Sequence, residues 1–314
     1  MSERFRSAVV IGTGMMGPGI AVTLALGGVR STILSREADR AQQALDKALS
    51  QVHLLREHGL VEHGRAHRAQ HALSASADFE PAIAAADLVI ESAPENLDFK
   101  RDLFARMDGI SKPEAVLASN TSGLSITAVA ARCSRPERVL TTHFWNPPHL
   151  MPLVEVVHGD KTDTAIALAV RDLLAACGKV PVMVKKDRPG QLGNRLQMAL
   201  WREAVHVVAE GIAAPEDVDL AAKCGFGLRL PVYGIFEHAD AVGLEMVRDI
   251  MDYVSRDLYC EPKAPPLMDE KVARGDTGAR AGRGFYDWSK KSLAEVIERR
   301  DRFVLDFLKA AGRR

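Results

Sequence analysis

The stretch Ala8-Val9-Val10-Ile11-Gly12-Thr13-Gly14-Met15-Met16-Gly17 decides the fold. Four apolar residues in a row, two of them valine and one isoleucine, predict a short buried strand. The apolar run from Gly17 to Leu26 predicts a helix packed against it. Glycine recurs between them at positions 12, 14 and 17. Gly12 permits the tight turn, Gly14 lets backbone approach a bound group, and Gly17 lets the helix lie close on the strand. The helix then opens with unpaired N–H groups and a partial positive charge, which suit phosphate oxygens. A glycine spacing of this kind is weak by itself, and a purely structural turn is the other reading. Strand before and helix after make it a dinucleotide-binding turn, in which Gly12, Gly14, Met15, Met16 and Gly17 contact the cofactor.

Working outward, further strands are expected at Ser31–Leu34, Leu88–Glu91, Val116–Ala118, Val139–Thr142, Leu153–Val157 and Val180–Val184. Helical patterns separate most of them, as in a parallel sheet flanked by helices. The long polar segment Ala38 to Gln70 carries His53, Arg56, His58, His63, His67 and Arg68 without a carboxylate or cysteine at a metal-ligand spacing, so it reads as a solvated helical hairpin and no metal site is assigned. Lys185-Lys186-Asp187-Arg188-Pro189-Gly190 interrupts the alternation, and beyond it the periodicity is helical. The expected fold class is therefore α/β: a Rossmann-type N-terminal domain, 1–187, followed by a mostly α-helical domain, 188–314, that closes on a charged surface helix, Leu293 to Ala311.

In such a fold an acid ending the second strand binds the adenosine ribose and repels a 2′-phosphate. This chain has Ser35-Arg36 there, a hydroxyl and a guanidinium, both suited to phosphate. NAD or NADP is the expected cofactor, with Ser35 and Arg36 favouring NADP. An arginine that merely opens the next helix is the alternative.

Lys plus Arg equals Asp plus Glu at 41 each over 314 residues, which removes the electrostatic footprint of a general nucleic-acid or membrane-surface binder. Apolar runs such as Ala165 to Val170 are too short to span a bilayer, and Met1 to Arg6 lacks the layout of a signal peptide. A cytoplasmic protein acting on a small molecule is expected. Cys133, Cys177, Cys224 and Cys260 form no CxxC pair and read as reduced, buried, inert thiols.

Two further segments carry chemistry: Ser119-Asn120-Thr121-Ser122, and Thr142-His143-Phe144-Trp145-Asn146-Pro147-Pro148 followed by Leu153-Val154-Glu155-Val156-Val157. When a hydroxyl carbon loses hydride, its oxygen must lose a proton, and histidine suits that transfer near neutral pH. His143 is the candidate, with Glu155 brought to it by a strand-turn-strand path to fix its tautomer. Ser122 and Asn194 are candidates to hydrogen-bond the substrate oxygen. Taken alone, His143 beside aromatics also fits a core histidine.

The order of these pieces resembles the L-3-hydroxyacyl-CoA dehydrogenase family over essentially the full length. The resemblance rests on the glycine loop, Pro94-Glu95-Asn96 with Lys100, Ser119-Asn120-Thr121-Ser122, His143-Phe144-Trp145-Asn146-Pro147, Pro189-Gly190 through Asn194-Arg195, and Gly284-Phe285-Tyr286. It implies hydride transfer at the 3-position of a 3-hydroxy or 3-keto acid derivative. His143 then matches the family's catalytic base, Glu155 its orienting acid, and Ser122 and Asn194 its substrate-side residues. Glu95, Lys100 and Asn120 match positions near the nicotinamide half of the cofactor, and the helical domain implies a homodimer. Acyl-CoA enzymes of the family commonly carry a lysine-rich helical surface where this chain has the mixed, histidine-rich Lys47 to Arg68. Pro147-Pro148-His149 and Gln191-Leu192-Gly193 look more like relatives that act on small hydroxy acids or a pyridine aldehyde. A crystallin-like nucleotide-binding protein without catalysis and a non-redox lyase or isomerase are the competing readings.

Overall fold

The structure, a computed structural model, describes residues 4–312. Eight strands form one sheet: β1 (Ser7–Ile11), β2 (Arg30–Leu34), β3 (Leu73–Ser76), β4 (Leu88–Glu91), β5 (Val116–Ser119), β6 (Val139–Phe144), β7 (Leu153–His158) and β8 (Val180–Val184). Their spatial order is β3-β2-β1-β4-β5-β6-β7-β8, and every pairing is parallel except β6 with β7. All residues of β4, β5 and β6 are buried, which is why these strands read as continuous apolar runs instead of alternating ones. The chain leaves β1 toward β2 and β3, then returns to place β4 on the other side. This reversal opens a crevice at the carboxyl ends of β1 and β4, where ligands bind in sheets of this kind.

The helices of this part are α1 (Gly17–Leu26), α2 (Ala38–Glu57), α3 (His63–Ala72), α4 (Phe79–Ala85), α5 (Leu97–Ile110), α6 (Ile126–Val129) and α7 (Thr164–Ala176). Helix α1 is buried almost throughout, whereas α2 and α3 form the expected amphipathic hairpin, burying alanine, valine and leucine on one side only. The strand β3 is absent from the sequence expectation because Leu73-Ser74-Ala75-Ser76 has a single large apolar side chain. It lies at the sheet edge, paired only with β2.

The remaining helices are α8 (Gly193–Ala209), α9 (Pro215–Cys224), α10 (Phe226–Arg229), α11 (Ile235–Val242), α12 (Leu244–Val254), α13 (Pro266–Ala273) and α14 (Leu293–Ala310). The chain divides into two compact units, Met1–Asn194 with Arg299–Arg314, and Arg195–Glu298. Gln191 to Asn194, just past the expected boundary at 187, are hydrogen-bonded into the first unit. The last helix also differs from a plain surface helix. Leu305 and Leu308 of α14 are buried in the first unit's core with Leu55, Leu60, Val61 and Ala66 of the hairpin region.

Two cysteines correct the expectation of buried thiols: Cys224 and Cys260 are exposed. Cys177 is buried and Cys133 half-buried, and burial pushes each of these thiols up to about 11. Among the described residues no helix is long and apolar enough to cross a membrane.

Candidate active site

The loop after β1 has the geometry its glycines predict. Gly12 sits at φ +122°, a left-handed backbone that favours glycine, and a side chain there would meet the carbonyl oxygen of Ser92 at 2.4 Å. A Cβ at Gly17 would fall 1.9 Å from the Gly12 carbonyl oxygen, so the helix could not approach the turn. Gly14 is different: nothing lies within 4 Å of the position its Cβ would take, leaving open space over the backbone. The first turn of α1 has no side-chain cap and carries Pro18, which has no N–H, so the Gly17 and Gly19 N–H groups are the donors it offers to a ligand. Open backbone at Gly14 and an uncapped helix start fit the pyrophosphate of a dinucleotide. Met15 is 62% exposed over this turn and Met16 partly buried beneath it.

At the end of β2, Ser35 accepts a hydrogen bond from the Glu37 N–H at 3.3 Å. Arg36 is exposed and takes no hydrogen bond or ion pair among the described residues, while neighbouring Glu37 pairs with Arg40 at 2.9 Å.

The catalytic candidates meet across the sheet's one antiparallel pair. His143 on β6 stands directly opposite Glu155 on β7, and their side chains touch at 2.6 Å between Nδ1 and Oε2. A strand pair places opposed residues on one face with their Cβ atoms about 5 Å apart, so the register alone brings imidazole to carboxylate. Glu155 is wholly buried and fully used: Oε1 accepts the Leu192 and Gly193 N–H groups, each at 2.8 Å, and Oε2 also accepts the Trp145 indole N–H at 3.2 Å. Burial pushes the Glu155 carboxyl up, but the hydrogen bonds from His143, Gly193 and Leu192 outweigh it and hold it below the ordinary carboxylate range. His143 is 5% exposed, and its Nε2 has no hydrogen-bond partner among the described residues. An imidazole held at Nδ1 by a carboxylate and free at Nε2 is a positioned proton acceptor and donor.

The structure brings Ser122 and Asn194 together: the Asn194 amide donates to the Ser122 carbonyl oxygen at 2.9 Å. Ser122 is exposed, and its N–H donates to Glu95 at 2.7 Å. Asn120 is buried, its Oδ1 accepting the N–H of Phe144, the residue after His143, at 2.8 Å. Of Glu95 and Lys100, only Glu95 is open to solvent, with 45% of its side chain exposed. Lys100 is wholly buried, its ammonium 2.6 Å from Glu91.

Three contributors are missing from the sequence expectation: Glu91, Trp145 and Gln191. Glu91 ends an apolar strand, and an acid in an otherwise apolar buried strand is itself a signal of a buried network. Trp145 braces Glu155, and a side chain at Gly193 would collide with its ring at 2.5 Å. Gln191 adopts φ +54°, unusual for a non-glycine residue, and its amide donates to the Thr121 carbonyl oxygen at 2.8 Å. Nothing in its residue type announces that role.

With this geometry in place, the comparisons with known proteins are decisive. Residues 7–188 match the 3-hydroxyacyl-CoA dehydrogenase NAD binding domain, and residues 190–288 match the C-terminal domain of the same family. The chain belongs to the 3-hydroxyacyl-CoA dehydrogenase family. Within it, the chain is 35% identical to L-carnitine dehydrogenase of Streptomyces griseus, over 99% of this chain and 91% of that one. It is 36% identical to a probable 3-hydroxybutyryl-CoA dehydrogenase of Bacillus subtilis, over 91% of this chain and 99% of that one. It is also similar to the crystal structure of a 5-formyl-3-hydroxy-2-methylpyridine 4-carboxylic acid 5-dehydrogenase, an NAD+-dependent dismutase. That likeness has a TM-score of 0.91 at 32% identity and covers 99% of this chain and 100% of the other. As a family member, the protein is a nicotinamide-dependent oxidoreductase acting at CH–OH.

Proposed function

We propose that this family member acts on small 3-hydroxy and 3-keto acids and their simple esters rather than on CoA thioesters. The His143–Glu155 contact, beside Ser122 and Asn194, is the observation that carries the catalytic half of the reading. A nicotinamide dinucleotide held by the Gly12–Gly17 turn would supply the hydride acceptor in oxidation and the hydride donor in reduction. His143 takes the hydroxyl proton at Nε2 in oxidation and gives it back in reduction. Glu155 holds the proton on Nδ1 and stabilises the imidazolium, while Ser122 and Asn194 fix the substrate oxygen. Glu95, half-exposed and bonded to the Ser122 N–H, is the residue this reading assigns to the nicotinamide half.

Support for a small substrate comes from the surface of the α2–α3 hairpin, on which the last helix packs. The family's C-terminal domain ends at residue 288, yet α14 follows it, and Leu305 and Leu308 lie in the core that also holds the α2–α3 hairpin. The hairpin also lacks the lysine-rich surface that the family resemblance associates with CoA. Each phosphate contact without a cation forgoes roughly 1.5–3 kcal/mol of charge-assisted hydrogen bonding. Turnover of an acetoacetyl ester is expected to match or exceed that of acetoacetyl-CoA in kcat/KM. Much better turnover of acetoacetyl-CoA overturns the small-substrate reading while leaving the hydride chemistry intact.

The 0.91 TM-score to the pyridine aldehyde enzyme favours one second reading, oxidation of an aldehyde. A hydrated aldehyde presents the same H–C–O–H arrangement, and His143 would take its hydroxyl proton in the same way. Adding an aromatic aldehyde to the substrate panel separates the two readings.

The finer cofactor reading is a preference for NADP(H). Support comes from Ser35 and from Arg36, which is exposed and unpaired among the described residues. An arginine–phosphate bond of about 1.5–3 kcal/mol corresponds to a preference of roughly 10- to 100-fold in kcat/KM, and screening of an exposed side chain places the expectation at the low end. Combining Ser35→Asp with Arg36→Ala is expected to reverse the preference toward NAD(H). A wild-type protein that already favours NAD(H) overturns this reading, and Arg36 is then only a solvent-facing residue ahead of α2.

The assembly fitting this reading is a cytoplasmic homodimer. In the second unit, Phe236 is 84%, Val232 83% and Tyr253 78% exposed, and α11 and α12 bury no residue. Apolar exposure on that scale marks a protein–protein surface.

A further inference from the structure

Beside the catalytic pair lies a second buried charged pair, whose acid has no part in the hydride chemistry derived above. Glu91, the last residue of β4, and Lys100, in the first turn of α5, are both wholly buried. Their contact is 2.6 Å. Glu91 is saturated with donors: Oε1 accepts the Lys100 ammonium and the Ala93 N–H, and Oε2 accepts the Ser119 hydroxyl at 2.6 Å. The Lys100 ammonium also reaches the Ala93 carbonyl at 3.2 Å and Glu95 Oε2 at 3.4 Å. Two buried charges cost several kcal/mol each to desolvate, and apolar residues of similar volume are often at least as stable. The pair therefore needs an explanation beyond stability.

What it touches supplies one. Glu95, drawn to Lys100, accepts the Thr121 hydroxyl at 2.9 Å and the Ser122 N–H at 2.7 Å. The Thr121 and Ser122 carbonyls in turn accept the amides of Gln191 and Asn194. The next two residues after Gln191, Leu192 and Gly193, give their N–H groups to Glu155. From the other side, the Asn120 N–H bonds the Glu91 carbonyl oxygen at 2.6 Å, and the Asn120 side chain holds Phe144 beside His143. Thus one buried pair anchors both ends of the loop 119–122, and that loop connects to the His143–Glu155 pair by two routes.

We infer that Glu91 is a positioning residue: through Lys100 and Ser119 it sets the Glu95–Ser122 contact, and with it the placement of the groups that hold the substrate oxygen. The inference rests on the reading that Ser122 and Asn194 face substrate, but not on which substrate is used. Displacing such groups by about 1 Å costs on the order of 100-fold in rate.

The test uses the full chain carrying Glu91→Gln, which keeps the side-chain shape and removes its charge. Hydrogen exchange needs no substrate and is read first. Exchange across residues 116–125 is expected to rise about tenfold while α1 and β1 keep wild-type protection, the mark of local rather than global opening. With turnover at saturating dinucleotide, kcat is expected to fall about 10- to 100-fold. A second variant, Glu91→Leu with Lys100→Met, exchanges the charged pair for apolar side chains. It is expected to melt within a few degrees of wild type yet recover none of the lost kcat. Unchanged exchange at 116–125, wild-type kcat in Glu91→Gln, or recovered kcat in the double variant each overturns the inference. A wild-type protein without turnover on any 3-keto compound defeats the functional reading instead, and the exchange measurement still decides the role of Glu91. Should Glu91→Gln fail to fold, Ser119→Ala, which removes one donor to Glu91, is read by the same exchange with the same criteria.

Discussion

Replacing His143 by Gln lowers kcat by about 100- to 10,000-fold, the range that positioned acid–base catalysis supplies, and leaves dinucleotide Kd nearly unchanged. The glutamine amide is close in reach to the imidazole, and Glu155 keeps its bonds from Leu192, Gly193 and Trp145, so the buried carboxylate is not orphaned. The cofactor turn at Gly12 to Gly17 is built from β1 and α1 and does not depend on the His143 ring. The loss should therefore fall on kcat and kcat/KM together, as for an interaction made chiefly in the transition state. Stopped-flow or steady-state measurement with the best 3-keto ester reads it directly. A variant retaining more than about a tenth of wild-type kcat has lost less than roughly 1.4 kcal/mol of barrier, and the proton acceptor then lies elsewhere.

How much of this was legible depends on whether a residue's role is local. The turn Gly12 to Gly17 is local: its glycines are needed by the backbone that carries them, and the structure places each for the reason its spacing predicts. Seven of the eight strands were legible as short apolar runs, most plainly β4, β5 and β6, which are buried throughout. The eighth, Leu73–Ser76, obeys no such constraint at the sheet edge. His143 and Glu155 were legible as a pair only because a short connection joins two strands, so that register opposes them. Glu91 and Lys100 sit on consecutive elements but meet only through the turn between them, and Gln191 reaches a backbone carbonyl 70 residues away, so no local pattern of residue types announces either contact. The exposed Cys224 and Cys260 show the converse failure, since composition predicts burial only on average.

Replacing Glu155 by Gln is expected to cost as much activity as replacing His143, although Gln differs from Glu by one atom. The Leu192 and Gly193 N–H groups both need an acceptor at the position of Oε1, so the amide oxygen turns toward them. Its NH2 then occupies the place of Oε2 and faces two former partners, the Trp145 N–H and His143 Nδ1. Against the indole it sets donor against donor. Against the imidazole it donates to Nδ1, which drives the ring proton to Nε2 and leaves the substrate-side nitrogen unable to accept one. The comparable change in a serine-protease triad lowers kcat about 10,000-fold, and a loss of about 100- to 10,000-fold is expected here, again with dinucleotide Kd preserved. Stability gives an independent signature. Because the folded structure holds the Glu155 carboxyl below its ordinary value of 4.5, its carboxylate contributes stability that is fully present above that pH and lost as pH falls through the lower folded value. The gap in unfolding free energy between wild type and Glu155→Gln is therefore largest at neutral pH and narrows below about pH 4.5. Urea titrations of both proteins at pH 7 and pH 4 measure it. A gap that is constant with pH, together with kcat within threefold of wild type, means that His143 is oriented by something other than this carboxylate.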